Sequence, residues 1–289
     1  MTSRLAPAKI NLFLHVGDKR ADGYHNLLSL VVFAEVGDRL TLAPADRLSL
    51  KVTGKFPNTG PADDNLVMKA ARALQSWADK HGHKTKPVEL TLEKNLPVAS
   101  GIGGGSSDAA ATLLMLAAHW GLPIAVDDLE ALGLQLGADI PVCLRAAPTL
   151  VSGVGEVLTP LDGLPQFALV LANPGVEVPT AHVFKTLAVR SGAHAPPLPR
   201  LADARELAMY LDRTINDLAA PAKVLAPIIM QVENAIGATD GCLTGRMSGS
   251  GATCFGLYES LHTAEAAARA IAAAHPDWWV KSAPSYVAK

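Results

Sequence analysis

Leu96 to Asp108 reads Leu-Pro-Val-Ala-Ser-Gly-Ile-Gly-Gly-Gly-Ser-Ser-Asp and runs straight into an alanine- and leucine-rich helical pattern. No other segment narrows so far what this chain can fold into. Four glycines, Gly101, Gly103, Gly104 and Gly105, fall within five consecutive positions. They leave little side chain between the backbone and anything that approaches it, and they admit the positive φ that turns successive N–H groups toward one point. Ser106 and Ser107 then open the helix beside the positive end of its dipole. The segment predicts a strand–loop–helix cradle for an anion, above all for the phosphates of a nucleotide.

A chain of 289 residues can bury a large core. Its length favours two domains, with a division near residue 155 (1–155 and 156–289). About half of it, 49%, is apolar, and no low-complexity tract interrupts it, as in an ordinary folded chain. The net charge of −2, with no basic cluster interleaved with aromatics, argues against a nucleic-acid partner. Cys143, Cys242 and Cys254 are an odd number in no metal-ligand spacing and read as buried thiols of a reducing compartment. The N-terminal apolar stretch is broken by Lys9, Asn11 and His15 and does not read as a signal peptide. The apolar run from Ala109 to Ala118 falls short of the roughly 20 residues that span a bilayer. The expectation is a cytoplasmic protein without a membrane partner, its oligomeric state left open.

Ile10, Leu12, Leu14 and Val16 alternate with Lys9, Asn11, Phe13 and His15, which is strand periodicity. Leu40/Leu42 and Leu48/Leu50/Val52 alternate around Pro44-Ala45-Asp46, so residues 38–53 read as a hairpin. Val67, Ala70, Ala71, Leu74 and Trp77 share a helical face, capped by Asp63 or Asp64 and closed before Gly82. A strand at Val88–Leu92 leads to the glycine loop. Asp127-Asp128-Leu129-Glu130 resembles a capping box for a helix ending near Gly137. Beyond it the pattern predicts strands near 149–152 and 167–172, a proline-rich loop at 191–200, and helices at about 203–211 and 221–236. A strand at 253–258, a helix capped by Thr263 and running to Ala274, and a last strand at 278–281 follow. Strands and helices mix without strict alternation, so an α+β fold fits better than a doubly wound sheet.

The glycine loop is not a Walker A motif, because no Gly-Lys-Ser/Thr closes it. It also misses the dinucleotide fingerprint: Ser106 stands at the third glycine position, and no acid follows about 20 residues on. A flexible linker is the alternative, and the flanking strand and helix argue against it. Lys9 and Asn11 share the strand face opposite Ile10, Leu12 and Leu14, so two polar groups point toward one space. Alone, Lys9 would read as an edge-strand lysine. Asp139 lies between Gly137-Ala138 and the apolar Ile140–Leu144, where a carboxylate needs a partner, although a turn aspartate fits as well. Asn65 follows Asp64 at a helix start, and capping would suffice for it. Asp108 opens the loop helix, where a cap or dipole role would suffice. Tyr24-His25 follow the turn pair Asp22-Gly23, so that Tyr24 could be mere loop decoration. Phe184, four residues after Thr180, reads equally as core packing or as a contact for a flat ligand.

Pro97-(x)3-Gly101-Ile102-Gly103-Gly104-Gly105-Ser106-Ser107-(x)-Ala109-Ala110 resembles the second motif of the galactokinase, homoserine kinase, mevalonate kinase and phosphomevalonate kinase (GHMP) superfamily. Pro7-Ala8-Lys9-Ile10-Asn11-Leu12 resembles its first motif, and Gly245 to Phe255, with Ser248-Gly249-Ser250-Gly251 at its centre, its third. Within the superfamily, Ala6 to Leu14 with Arg20 to His25, Leu136 to Val142 and Gly153 to Glu156 are similar to the branch acting on a cytidine diphosphate-linked methylerythritol. The resemblance implies a two-domain GHMP-kinase-like fold, with a ribosomal protein S5 domain 2-like N-terminal domain for ATP and catalysis. A ferredoxin-like C-terminal domain would complete the cleft for the acceptor. It implies phosphate transfer from ATP, with Mg²⁺, to the 2-hydroxyl of that small molecule on the non-mevalonate isoprenoid route.

The roles carried over follow residue by residue. Lys9 and Asp139 become the catalytic pair. Asn65, Leu66, Lys94, Pro97, Gly101, Ile102, Gly103, Gly104, Gly105, Ser106 and Ser107 become ATP contacts. Asn11, Tyr24, His25, Asp139, Thr180 and Phe184 become acceptor contacts, with Tyr24 and His25 on the cytosine. No side chain is assigned to the metal. A superfamily kinase for homoserine or mevalonate, and a nucleotide-binding regulator without catalysis, are the alternatives. Tyr24-His25 with Gly137-Ala138-Asp139 argue against the first, and the presence of both Lys9 and Asp139 against the second.

Overall fold

The computed structural model describes residues 2–188 and 190–287. Its contacts divide into two compact units. The first comprises Met1–Ala8, Gly37–Val98 and Gly103–Arg145; the second comprises Lys9–Val36, Ala99–Ile102 and Ala146–Lys289. The first two strands, β1 (Thr2–Lys19) and β2 (His25–Pro44), each contribute residues to both units. The sequence suggests one cut near residue 155; in the structure the last run of the second unit begins at Ala146.

In the first unit, β3 (Ser49–Gly54) and β4 (Val88–Lys94) are separated by the helix α1 (Leu66–Lys80). They pair in parallel from Ser49↔Glu89 to Gly54↔Lys94, the pairing that such a crossover permits. β4 also pairs antiparallel with β2, from Arg39↔Glu93 to Pro44↔Val88. β4 thus lies between β2 and β3, and the hairpin expected over residues 38–53 does not form. Alternation identified both strands, but it carries no information about partners, and the apolar stripe of Val88, Leu90 and Leu92 takes the central place. Val67, Ala70, Ala71, Leu74 and Ala78 of α1 are buried, and the cap is Asn65, one residue beyond the acids proposed for it. α1 packs on α2 (Gly104–Trp120), which also meets α3 (Val126–Leu136) and α4 (Ile140–Arg145). Ala109, Ala110, Ala111 and Ala117 let α2 be enclosed on several sides. Asp127 and Asp128 lie inside the first turn of α3 and make no cap, so they serve its dipole instead of a capping box.

In the second unit, β2 pairs antiparallel with β5 (Thr149–Gly153), which pairs with β6 (Val157–Pro160). β10 (Trp279–Tyr286), β7 (Ala168–Asn173), β9 (Cys254–Tyr258) and β8 (Thr244–Met247) follow in that order, all antiparallel. The helices are α5 (Thr180–Lys185), α6 (Ala204–Leu211), α7 (Ala219–Leu225), α8 (Ile228–Gly237) and α9 (Leu261–Ala274). With α8 between β7 and β8 and α9 between β9 and β10, the order is the β-α-β-β-α-β of a ferredoxin-like layer. Ile229, Val232, Ile236, Ala264, Ala268 and Ile271 pack on Val170, Ala172 and Cys254 to form its core. The single helix expected over 221–236 is two, broken at Ala226–Pro227, where proline cannot continue the backbone ladder. Ser260 caps α9, accepting from the Thr263 N–H. Thr263, expected as the cap, is therefore the donor. Among the described residues no helix is long and apolar enough to cross a membrane.

Candidate active site

Both faces of β1 are buried from Ala6 to Gly17, so the polar residues between its apolar ones are interior groups. Lys9, Asn11 and His15 are each 5% exposed or less. The Lys9 N–H donates to the Ile102 carbonyl at 2.9 Å, which ties the start of the glycine loop to the strand. The Asn11 N–H donates to Ser248 Oγ (3.1 Å), and its side-chain amide donates to Ser29 Oγ (2.8 Å). Asn11 Oδ1 has no hydrogen-bond partner among the described residues.

Ser248 closes this arrangement by donating to the Gly101 carbonyl (3.1 Å), while the Thr253 N–H donates to the Ser100 carbonyl (3.1 Å). Gly101 has φ +74°, and a Cβ there would stand 2.5 Å from the Ser248 carbonyl oxygen. Glycine is required at 101 by both conformation and contact. The second unit thus brings together Lys9, Asn11, residues 99–102 and the turn 248–253, the last more than 140 residues further along the chain than the others.

The far end of the β1–β2 hairpin carries the aromatic group. Gly23, at φ +89°, closes the turn by donating to the Arg20 carbonyl, and Tyr24 beyond it is 66% exposed. His25 stacks on Phe184, with centroids 5.8 Å apart and planes at 24°. Its Nδ1 lies 3.1 Å from the Gly17 carbonyl, an acceptor, so that nitrogen is the donor of the pair. Phe184 is half-buried and packs on the core of the unit. Thr180 Oγ1 stands 2.8 Å from Ser250 Oγ, linking α5 to the third glycine-rich turn.

In the first unit, α2 starts from Gly103, which is left-handed (φ +63°) and offers no side-chain cap. Its first N–H groups are therefore not taken by a capping side chain. Gly104, Gly105 and Ser106 retain exposure at this end. Ser107 does not face outward: it is 2% exposed and donates to the Pro7 carbonyl (2.7 Å), fastening α2 to β1. Leu66 lies against Gly105, where an added Cβ would touch its Cδ1 at 3.4 Å. The Asn65 side chain is occupied on both sides, accepting from Val67 N–H (2.9 Å) and donating to Thr59 Oγ1 (3.0 Å). Pro97 is buried. Asp139 is half-buried between α3 and α4, and its carbonyl accepts the Cys143 N–H at 3.3 Å.

Lys94 has protein carboxylates for partners. It is 4% exposed, and its Nζ donates to Asp38 Oδ2 and, at 3.0 Å, to Asp108 Oδ2. Asp38 Oδ1 accepts the N–H groups of Asn95 (2.5 Å) and Leu96 (2.8 Å). Burial opposes the charge of Lys94, yet the two carboxylates raise its pKa above the ordinary value. Burial also pushes the Asp108 carboxyl up to about 8, against the pull of Lys94 and with the help of Asp38. Asp38 is not among the residues the sequence motifs single out, although it is in phase with buried Leu40 and Leu42, as Lys94 is with Leu90 and Leu92. Among the described residues no cluster of three or more His, Cys, Asp or Glu is placed to hold a metal.

Comparison with known proteins places these motifs. The family of GHMP kinases N terminal domains matches residues 65–146, and that of GHMP kinases C terminal domains matches 195–277. A 4-diphosphocytidyl-2-C-methyl-D-erythritol kinase of Cereibacter sphaeroides is 54% identical, over 98% of this chain and 99% of its own. The enzyme of that name from Rhizobium meliloti is 48% identical over 96% and 93%. A crystal structure of 4-(cytidine 5'-diphospho)-2C-methyl-D-erythritol kinase superposes with a TM-score of 0.79 at 35% identity, covering 99% of this chain and 100% of that one. Homoserine kinase from Cytophaga hutchinsonii shares the fold (TM-score 0.64, 18% identity, 99% and 96% covered). Sequence identity over nearly the whole length and the shared fold together show that the chain belongs to the 4-diphosphocytidyl-2-C-methyl-D-erythritol kinase family of the GHMP kinases.

Proposed function

We propose that this kinase transfers the γ-phosphate of MgATP to the 2-hydroxyl of 4-(cytidine 5'-diphospho)-2-C-methyl-D-erythritol, a step of non-mevalonate isoprenoid precursor synthesis. The observation that carries the acceptor is the aromatic group of Tyr24, His25 and Phe184. A cytosine needs a stacking surface and an acceptor for its N4 amine. The exposed Tyr24 ring supplies the first, and the second is assigned to His25 Nε2, the ring nitrogen not bonded to Gly17. Thr180 and Asn11, with the unpartnered Oδ1 of the latter, are assigned to the rest of the acceptor.

The donor is assigned to Gly101–Ser106, where backbone N–H groups and the helix dipole favour phosphates, with Leu66 against the base. Lys94, Pro97, Asn65 and Ser107 support this surface from behind, as their burial and internal hydrogen bonds indicate. The metal is part of the substrate MgATP, carried on phosphate oxygens and water. Asp139 accepts the proton of the attacking hydroxyl, and Lys9 offsets charge on the reacting oxygens. Phosphoryl transfer relies mainly on such positioning and electrostatics. Three cysteines without a disulfide fit a cytoplasmic location.

An ADP-release assay with MgATP and cytidylyl-methylerythritol, homoserine or mevalonate tests the reading. Turnover with the first alone is expected. Turnover only with homoserine or mevalonate would overturn the acceptor, and turnover with none would leave a nucleotide-binding regulator. Asp139→Asn is expected to lose about 100-fold or more in kcat while still binding ATP. Near-wild-type turnover would remove Asp139 from the mechanism.

A further inference from the structure

The triad of Asp38, Lys94 and Asp108 places three ionisable side chains, none more than 4% exposed, directly behind the first turn of α2. A Cβ on Gly104 would lie 3.0 Å from Lys94 Nζ and 3.6 Å from Asp38 Oδ2, so the triad touches the loop backbone itself. Asp38 accepts from three donors, Lys94 Nζ and the N–H groups of Asn95 and Leu96. Asp108 is different. Its Oδ2 meets Lys94, its carboxyl also contacts that of Asp38, and its Oδ1 has no partner among the described residues. Two carboxylates on one buried lysine cannot both ionise without leaving a net buried charge, and the one with the undonated oxygen is where a proton costs least.

We propose that Asp108 keeps its proton in the working enzyme, so that the triad behind the glycine loop is electrically neutral where α2 meets the phosphates of ATP. Asp108 is thereby a positioning residue: it helps fasten Lys94 under Gly104 without opposing a polyanionic ligand. The inference rests on the reading of Gly101–Ser106 as the phosphate cradle. Burial holds the proton, Asp38 on β2 reinforces it, and Lys94 on β4 opposes it; these are the charged groups that act on Asp108. Ionisation as the pH passes about 8 would place one uncompensated negative charge behind the helix start and weaken ATP binding.

The test is the dissociation constant of MgATP, measured by calorimetry without acceptor from about pH 6 to about pH 9.5. For the wild type it should rise about tenfold across the transition, the scale of a single partly screened charge about one helical turn away. Asp108→Asn, neutral at every pH, should stay flat. Asp38→Asn should move the transition to lower pH, because the anion that reinforces the proton is gone. Identical pH profiles for wild type and Asp108→Asn, or an Asp38→Asn profile unmoved or moved upward, would overturn the proposal. Wild type that binds no ATP at any pH would overturn the kinase reading instead. Should Asp108→Asn fail to fold, infrared difference spectra of wild type with isotope-labelled aspartate decide. A protonated-carboxyl band vanishing near the same pH supports the proposal, and its absence at neutral pH overturns it.

Discussion

The two units solve the problem of a polar interior by opposite means. Behind the glycine loop the first unit gathers charges: Lys94, Asp38 and Asp108 meet at one point. Around Asn11 the second unit relies on neutral groups strung over a distance. Asn11 donates to Ser29, which donates to the Phe13 carbonyl (2.6 Å), while Ser248 joins Asn11 to Gly101. A buried acid of that unit, Asp217, meets neutral donors: Oδ2 accepts from Val16 N–H (2.6 Å) and from the N–H and hydroxyl of Ser191 (3.1 and 2.7 Å). A charged cluster fixes one place rigidly and fails badly when incomplete. A neutral network holds several distant segments, each link costing little to lose.

The sharpest test of that contrast is removal of the common partner. Lys94→Met leaves Asp38 and Asp108 buried without a cation and should cost about 3–5 kcal/mol in urea unfolding. Ser248→Ala, which breaks two neutral links in the second unit, should cost about 1–2 kcal/mol by the same measurement. Equal losses would erase the distinction.

The pH dependence of stability separates the units next. The Asp108 pKa is raised in the folded state, to about 8 from 3.8. Folded protein therefore holds a proton that unfolded protein releases. The stabilisation from that proton is complete below the unfolded value and is lost as pH rises through the folded one. Relative to Asp108→Asn, wild type should lose about 2 kcal/mol or more between about pH 5 and about pH 8. Asn11, Ser29 and Ser248 do not titrate, so substitutions there should shift stability equally across that range.

The same contrast explains what could be read from the chain. The glycine loop, the Asp22-Gly23 turn and the strand faces of β1 and β4 were legible because each is local: spacing and residue type decide them. The central position of β4 was not, because alternating leucines mark a buried face without naming the neighbouring strand. Asp38 lies 56 residues from Lys94, and only the pairing of β2 with β4 brings them together. Their shared phase with buried leucines is the one local sign of that pairing. The family resemblance assigns Ser107 and Lys94 to ATP. Their actual partners, the Pro7 carbonyl and two carboxylates, follow from tertiary packing alone.

Asp217→Ala probes the second unit at this buried acid. Val16 N–H is left buried without an acceptor, whereas half-buried Ser191 can turn to water. The expected cost is about 1–2 kcal/mol. Asp217→Asn presents a carbonyl oxygen to the same donors and should recover most of it. If the asparagine variant is as unstable as the alanine variant, the charge itself matters, and the second unit is less different from the first than its geometry says.

Tyr24→Ala should have the smallest effect on the fold. The side chain is 66% exposed, and its backbone N–H, which donates to Asp22 Oδ1 (3.1 Å), survives the substitution. Unfolding free energy should stay within about 0.5 kcal/mol of wild type. Kinetics should not be so indifferent. Loss of a stacking surface removes about 1–3 kcal/mol from base binding in comparable settings, so KM for the cytidylyl substrate should rise at least about fivefold. KM for ATP should be nearly unchanged, because the glycine loop and α2 do not involve the hairpin tip. Equal rises in both constants would mean that the tip supports the whole enzyme. A rise in neither would leave the tyrosine as loop decoration and shift the burden of cytosine recognition onto His25 and Phe184.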